Sequence, residues 1–160
     1  MSLEVGIKGT CTVTADESNS AKTMGSGTLD VFATPAMIAL MEKTAWTSVA
    51  PYLEAGEGTV GIHLDISHDA PTPLGMTITC ESELVEIDGR KLVFSVSAKD
   101  EKGTVIGRGT HERFVILEEK FQEKASKYAA QMGSTDVDAF ISQYWKTPLD
   151  SHIRSRAATE

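Results

Sequence analysis

The stretch FATPAMIALMEKTAW, residues 32–46, decides the fold. Ala36 to Met41 are six consecutive apolar residues, followed at once by Glu42 and then by Ala45 and Trp46. Thr34 stands where an N-cap belongs, and Pro35 suits the first helical position, where its missing N–H costs nothing. Met37 is three residues past that cap, so no reciprocal capping box forms. The pattern predicts a helix that runs to about YLEAGEG, where Gly56 and Gly58 break it. A helix that is apolar nearly all round must be wrapped by something.

The wrapping is legible on either side. Before the helix, GIKGTCTVTADES alternates well enough for a first strand, and the polar ESNSAKTMGSG reads as a loop or short lid. After it the period changes from helical to two. TVGIHLDIS places Val60, Ile62, Leu64 and Ile66 on one face, expected to be the face turned to the helix. HDAPTPLG is a Pro-rich turn. MTITCESELVEI changes parity between Cys80 and Val85, which predicts a bulge near Ser82. The Asp-Gly of DGRK signals a tight hairpin into LVFSVSA; KDEKGT turns the chain again into the long strand VIGRGTHERFVIL. EEKFQEKASKYAAQM reads as a helix, and GSTDVDAFISQYWKTPLD as a further short amphipathic one. The expectation is an α+β domain over residues 1–127, one long helix against a curved antiparallel sheet, with a helical extension over 128–160.

Composition narrows the function. With 15 Lys and Arg against 23 Asp and Glu, the net charge is −8. No basic cluster is present to neutralise a phosphate backbone, so nucleic acid is not an expected partner. No apolar run approaches the ~20 residues of a membrane span, and MSLEVGIKGT lacks the n- and h-regions of a secretory signal, so a cytoplasmic location and no membrane partner are expected. Cys11 and Cys80 suggest neither a disulfide framework nor a metal site, and the four histidines lack zinc-ligand spacing.

Four positions stand out chemically. Glu42 has Ile38, Ala39, Ala45 and Trp46 as its helical neighbours. An ionised carboxylate buried there costs several kcal/mol in practice, so Glu42 either reaches water, pairs with Lys43 or an arginine, or faces a dry cavity as a functional acid. His68 ends a strand at the Pro-rich turn with the parity of Ile62 and Ile66; it is a general-base candidate or a satisfied structural histidine. His63 has the opposite parity, and His111 in GTHERF suits a strand-borne polar network. Thr34 has a structural role as a cap, yet its hydroxyl lies at a helix N-terminus, where orphan N–H groups favour an oxyanion. Eight helical residues rise ~12 Å, so Thr34 and Glu42 do not touch if both are helical. Gly61 interrupts a bulky strand, which marks either a close approach or relief of curvature.

VFATPAMIALMEKTAW, PYLEAGEGTVG, SHDAPTPLG, EIDGRKLVFSVSAKD and GRGTHERFVI together resemble the fluoroacetyl-CoA thioesterase-like family of hotdog-fold proteins, over about residues 30–125. The resemblance implies a hotdog fold, a homodimer and hydrolysis of an acyl-CoA thioester, with coenzyme A as part of the substrate and no separate cofactor or metal. The family's catalytic threonine, glutamate and histidine fall on Thr34, Glu42 and His68. Its G-x-G-x-x-G stretch ends on Gly61, whose backbone N–H is implied near the thioester carbonyl. Fluoroacetyl-specific members carry a lid with phenylalanines, whereas NSAKTMGSGTLD has no aromatic residue, so a general short acyl group is the expectation. Arg90, Lys91 and Arg108 are available for the coenzyme A phosphates on charge alone. His68 would activate water or the Thr34 hydroxyl, or Glu42 would attack directly; these remain alternatives. So do a non-catalytic acyl-CoA or small-ligand binder and an enoyl-CoA hydratase on the same fold.

Overall fold

The apolar stretch forms helix α2, Thr34–Val49, which buries Met37, Leu40, Met41, Thr44, Ala45 and Val49. The computed structural model describes residues 2–130. Five strands accompany the helix: β1 (Lys8–Thr14), β2 (Glu57–His68), β3 (Thr77–Asp88), β4 (Lys91–Asp100) and β5 (Val105–Leu117). They form one sheet in the order β1-β3-β4-β5-β2, with antiparallel pairing of β1 with β3, β3 with β4 and β4 with β5. Strand β2 lies at the edge beside β5. Ile78, Cys80, Leu84, Leu92, Phe94, Val96 and Ala98 turn inward and close the core with the α2 residues. Each fully buried Ile, Leu, Phe or Met side chain among them contributes about 1.5–3 kcal/mol.

Helix α2 begins one residue earlier than expected and stops sooner. Ala33, extended at φ −73° and ψ 142°, is the N-cap and supplies no side-chain bond, so Thr34 is the first helical residue rather than the cap. The α-helix ends at Val49, ahead of Gly56 and Gly58, and continues only as a 3-10 turn over Ala50–Tyr52. Pro51 accounts for this, because it has no N–H to return to the Thr47 carbonyl.

The segment before α2 is more ordered than a loop. Asp16 and Asn19 cap a 3-10 turn, Glu17–Asn19, reciprocally, and Ser20 caps the one-turn helix α1, Ala21–Met24, which ends on Gly25 in the left-handed region at φ 74°. Isolated bridges Ser20–Phe32 and Val31–Pro73 tie this segment to the start of α2 and to the Pro-rich turn. The β3 bulge is present, with the register shifting between Leu84 and Glu86; Val85 is thrown outward and stands 43% exposed. It falls three residues beyond Ser82, which is itself buried.

In β2 the face turned to α2 changes along the strand. Thr59 bonds the inward-pointing Arg113 and a Cβ on Gly61 would meet Glu42, whereas further on Ile66 joins the core and His68 reaches Thr34. Constant alternation therefore fails here: Ile66 packs as expected, but Leu64 is 41% exposed. Cys11 and Cys80 are direct cross-strand partners and both are free thiols, with Cys80 fully buried and its thiol pushed up to about 11 by that burial.

The chain divides into two compact units, Met1–Ile116 and Leu117–Glu160. In the second, helix α3 spans Glu118–Ala130, with Glu118 and Glu119 at its positive end and Lys127 in its last turn, where it pairs with Glu123 at 2.9 Å. The short helix expected over GSTDVDAFISQYWKTPLD lies outside the described residues.

Candidate active site

Two clusters sit along α2. The first joins Thr34 to His68: Thr34 Oγ1 lies 2.7 Å from His68 Nδ1. Ala33 rather than Thr34 caps the helix, and the threonine hydroxyl is turned to the imidazole. His68 is brought there by the end of β2, where the backbone N–H groups of Asp69 and Ala70 both bond the Ile106 carbonyl at 2.7 and 3.2 Å. The Phe32 N–H bonds the Thr72 carbonyl at 2.9 Å, closing the Pro-rich turn against the chain that enters α2. With the hydroxyl donating to Nδ1, His68 carries its own proton on Nε2, a buried atom with no partner among the described residues. A hydroxyl at 2.7 Å from an imidazole acceptor has the geometry of a nucleophile and its base.

The second cluster centres on Glu42, about 12 Å further along the helix axis. Its Oε2 receives Nη1 of Arg113 at 3.3 Å. The carboxylate side chain is 39% exposed, while the arginine side chain is 7% exposed. Arg113 donates in three further directions: Nε to Thr59 Oγ1 at 2.7 Å, Nη2 to the Thr59 carbonyl at 2.9 Å, and Nη1 to His111 Nε2 at 3.1 Å. His111 Nδ1 in turn lies 2.8 Å from the His63 carbonyl. Burial lowers the pKa of Arg113 while Glu42 opposes that shift, and burial likewise lowers His111. Gly61 completes the cluster: a Cβ there would come within 2.7 Å of Glu42 Oε2 and 3.2 Å of His111 Cε1. Only glycine leaves the carboxylate this space.

The carboxylate inside the apolar helix is thus an arginine's partner, and no hydrogen bond joins it to His68 or Thr34 among the described residues. Thr34 and His68 are brought together; Glu42 and Gly61 are brought together separately. The three cations suggested for phosphates are dispersed. Arg90, in the β3–β4 turn, donates to the Val115 carbonyl at 3.4 Å, and Lys91 pairs with Glu112 at 3.7 Å. Arg108 lies six residues from the Lys91 level, because Lys91 faces Phe114 and Ser97 faces Arg108. That separation is roughly 20 Å along the strands. Arg108 lines an open groove with Asp65, Ser67, Ser95, Ser97 and Thr110, on the sheet face turned away from α2.

The polar network expected around His111 is present, and the arginine open to Glu42 is Arg113; that the two join, and that Thr59 belongs with them, was missed. A signal existed: in THERFVI, His111 and Arg113 share parity with the inward-facing Val115, so two polar residues had to be satisfied beneath the helix.

Residues 15–119 match the model of the fluoroacetyl-CoA-specific thioesterase family. The fluoroacetyl-CoA thioesterase of Streptantibioticus cattleyicolor is 48% identical over 95 residues, covering 59% of this chain and 68% of that protein. A solved fluoroacetyl-CoA thioesterase superposes with a TM-score of 0.74 at 37% identity, covering 79% of this chain and 98% of that one. A hypothetical protein of Thermus thermophilus, a thioesterase superfamily member, superposes equally well at TM-score 0.74 with 22% identity over 80% of this chain and 94% of its own; it shows the fold alone. A long helix against this sheet order is the hotdog architecture of those structures, and the chain belongs to the fluoroacetyl-CoA-specific thioesterase family of acyl-CoA thioester hydrolases.

Proposed function

We propose that the chain hydrolyses the thioester of a short acyl-CoA, with Thr34 as nucleophile and His68 as its base. The observation that carries this is the 2.7 Å contact between Thr34 Oγ1 and His68 Nδ1. The hydroxyl proton passes to Nδ1 as Oγ1 attacks the thioester carbonyl. Collapse of the tetrahedral intermediate breaks the C–S bond, and the imidazolium returns the proton to the departing thiolate. Water then attacks the acyl-threonine ester as His68 takes its proton, and the imidazolium returns that proton to Thr34 Oγ1 as the C–O bond breaks and the free acid leaves. Coenzyme A is a part of the substrate, and the hydroxyl–imidazole pair needs no further cofactor.

Glu42, held by Arg113 and facing Gly61, bounds the site two turns along α2 rather than acting on His68. The acyl group is proposed to be short but not restricted to fluoroacetyl. The segment 19–30 presents Met24 and Leu29, 45% and 65% exposed, in place of an aromatic lid. Two copies are proposed to pair through β2. It is a 12-residue strand at the sheet edge with Leu64 exposed, a feature that monomers avoid. No helix of the described residues is long and apolar enough to cross a membrane, and two free thiols suit the reducing cytoplasm proposed as its location.

A panel of acetyl-, propionyl-, fluoroacetyl- and crotonyl-CoA, read by free-thiol release and by loss of the enoyl chromophore, tests the reading. Thiol release from all the saturated substrates is expected. Binding without thiol release, or hydration of crotonyl-CoA alone, would contradict hydrolysis; release from fluoroacetyl-CoA alone would contradict the breadth.

A further inference from the structure

We propose that His111 is a positioning residue of this site, which as the neutral Nδ1–H tautomer holds the Arg113 guanidinium in place for Glu42. The tautomer follows from its partners. Arg113 can only donate, so the 3.1 Å contact between its Nη1 and His111 Nε2 requires a lone pair on Nε2. The ring proton then resides on Nδ1, which faces the His63 carbonyl at 2.8 Å, a group that can only accept. The imidazolium would set an N–H against an N–H, and the opposite tautomer would leave both contacts repulsive. With the ring fully buried, water cannot repair either fault.

The groups facing the ring come from four elements. On β5 they are Arg113, which disfavours a second positive charge, and Glu112, which favours it. Helix α2 contributes Glu42, which also favours the charge; β2 contributes the His63 carbonyl, and β4 the Phe94 ring at 6.4 Å between centroids. Burial is the largest influence and keeps the ring neutral. His111 has a second effect on the same wall, because its Cε1 would be 3.2 Å from a Cβ on Gly61. Thr59 holds Nε and Nη2 of the guanidinium, while His111 decides where Nη1 lies, and Nη1 is the atom that meets Glu42.

The turnover part of this inference rests on the thioesterase reading; its tautomer part does not. Long-range proton–nitrogen NMR on the full chain with labelled histidine is expected to show one imidazole with a protonated Nδ1 and an accepting Nε2, unchanged between pH 7.5 and 6. A doubly protonated or Nε2–H ring at 111 would overturn the proposal. The paired variants H111L and H111Q supply the second arm, since glutamine can return an acceptor to the Nε2 position and leucine cannot. On the best acyl-CoA of the panel, H111L is expected to lower kcat at least tenfold with KM within threefold, and H111Q to recover most of that loss. Equal kcat for the two variants would mean packing alone and would overturn it. Should H111L fail to fold, a fall of more than tenfold in H111Q would do the same. A wild-type chain that releases no thiol sinks the functional reading while the NMR result still decides the tautomer.

Discussion

Replacing Arg113 by methionine removes a guanidinium whose side chain is 7% exposed and which bonds Glu42, His111 and, twice, Thr59. Methionine fills much of the same volume, so the loss is chiefly polar. Removing one partner of a buried ion pair costs 3–5 kcal/mol, roughly, where the other is left dry. Glu42 is 39% exposed and can regain water, which places the cost near the bottom of that range, about 3 kcal/mol. Most of it comes from the Thr59 carbonyl and His111 Nε2, which are left without a donor. E42Q, acting on the exposed partner, should cost under about 1 kcal/mol. Urea unfolding followed by far-UV circular dichroism measures each variant and the double variant, with a coupling of about 1 kcal/mol expected between them. A loss below about 1 kcal/mol for R113M, or strict additivity with E42Q, would refute the network as the anchor of Glu42.

The same network gives two further expectations. G61A brings a Cβ to 2.7 Å from Glu42 Oε2, a flexible carboxylate end that can swing away. It should therefore cost no more than about 1 kcal/mol in stability yet lower kcat at least tenfold, and unchanged turnover would show that the carboxylate's place is unimportant. Stability should also respond to pH through His111. Its folded-state pKa is lowered by burial, so as pH falls through about 6.5 the unfolded chain takes up a proton that the native ring refuses, and stability is lost. Between pH 6.5 and 5.5 that loss is at most about 1 kcal/mol, and urea midpoints should show a shallower pH slope for H111Q than for the wild type.

Much of this fold is legible in the chain, and the exceptions are instructive. VIGRGTHERFVIL is β5 residue for residue, and the Asp-Gly hairpin joins Asp88 to Lys91 as read. The bulge in β3 was visible as a parity change but not its position, because Ser82 is a small polar residue that the core accepts. Helix α1 went unseen because one turn is too short for periodicity; its marks are the N-cap Ser20 and the left-handed Gly25 that ends it. The change of face in β2 is a tertiary effect: alternation within one strand carries no information on which of its residues meet α2. For the site, propensity chooses Thr34 over Ala33 as the cap of α2 and is wrong; the approach of Thr34 to His68 comes from the tertiary placement of the end of β2 beside the start of α2. The arginine on Glu42 lies 71 residues away, and only the assembled sheet brings it there.

The central claim is that Thr34 and His68 act together as nucleophile and base. It is tested most directly by the single-turnover and steady-state rates of thiol release from the best acyl-CoA in T34A, H68A and the double variant, with fold integrity checked by circular dichroism. Groups that act as a unit lose activity non-additively, so each single variant should fall at least ~1,000-fold and the double variant hardly further. Single variants within tenfold of the wild type, or losses that multiply in the double variant, would contradict it.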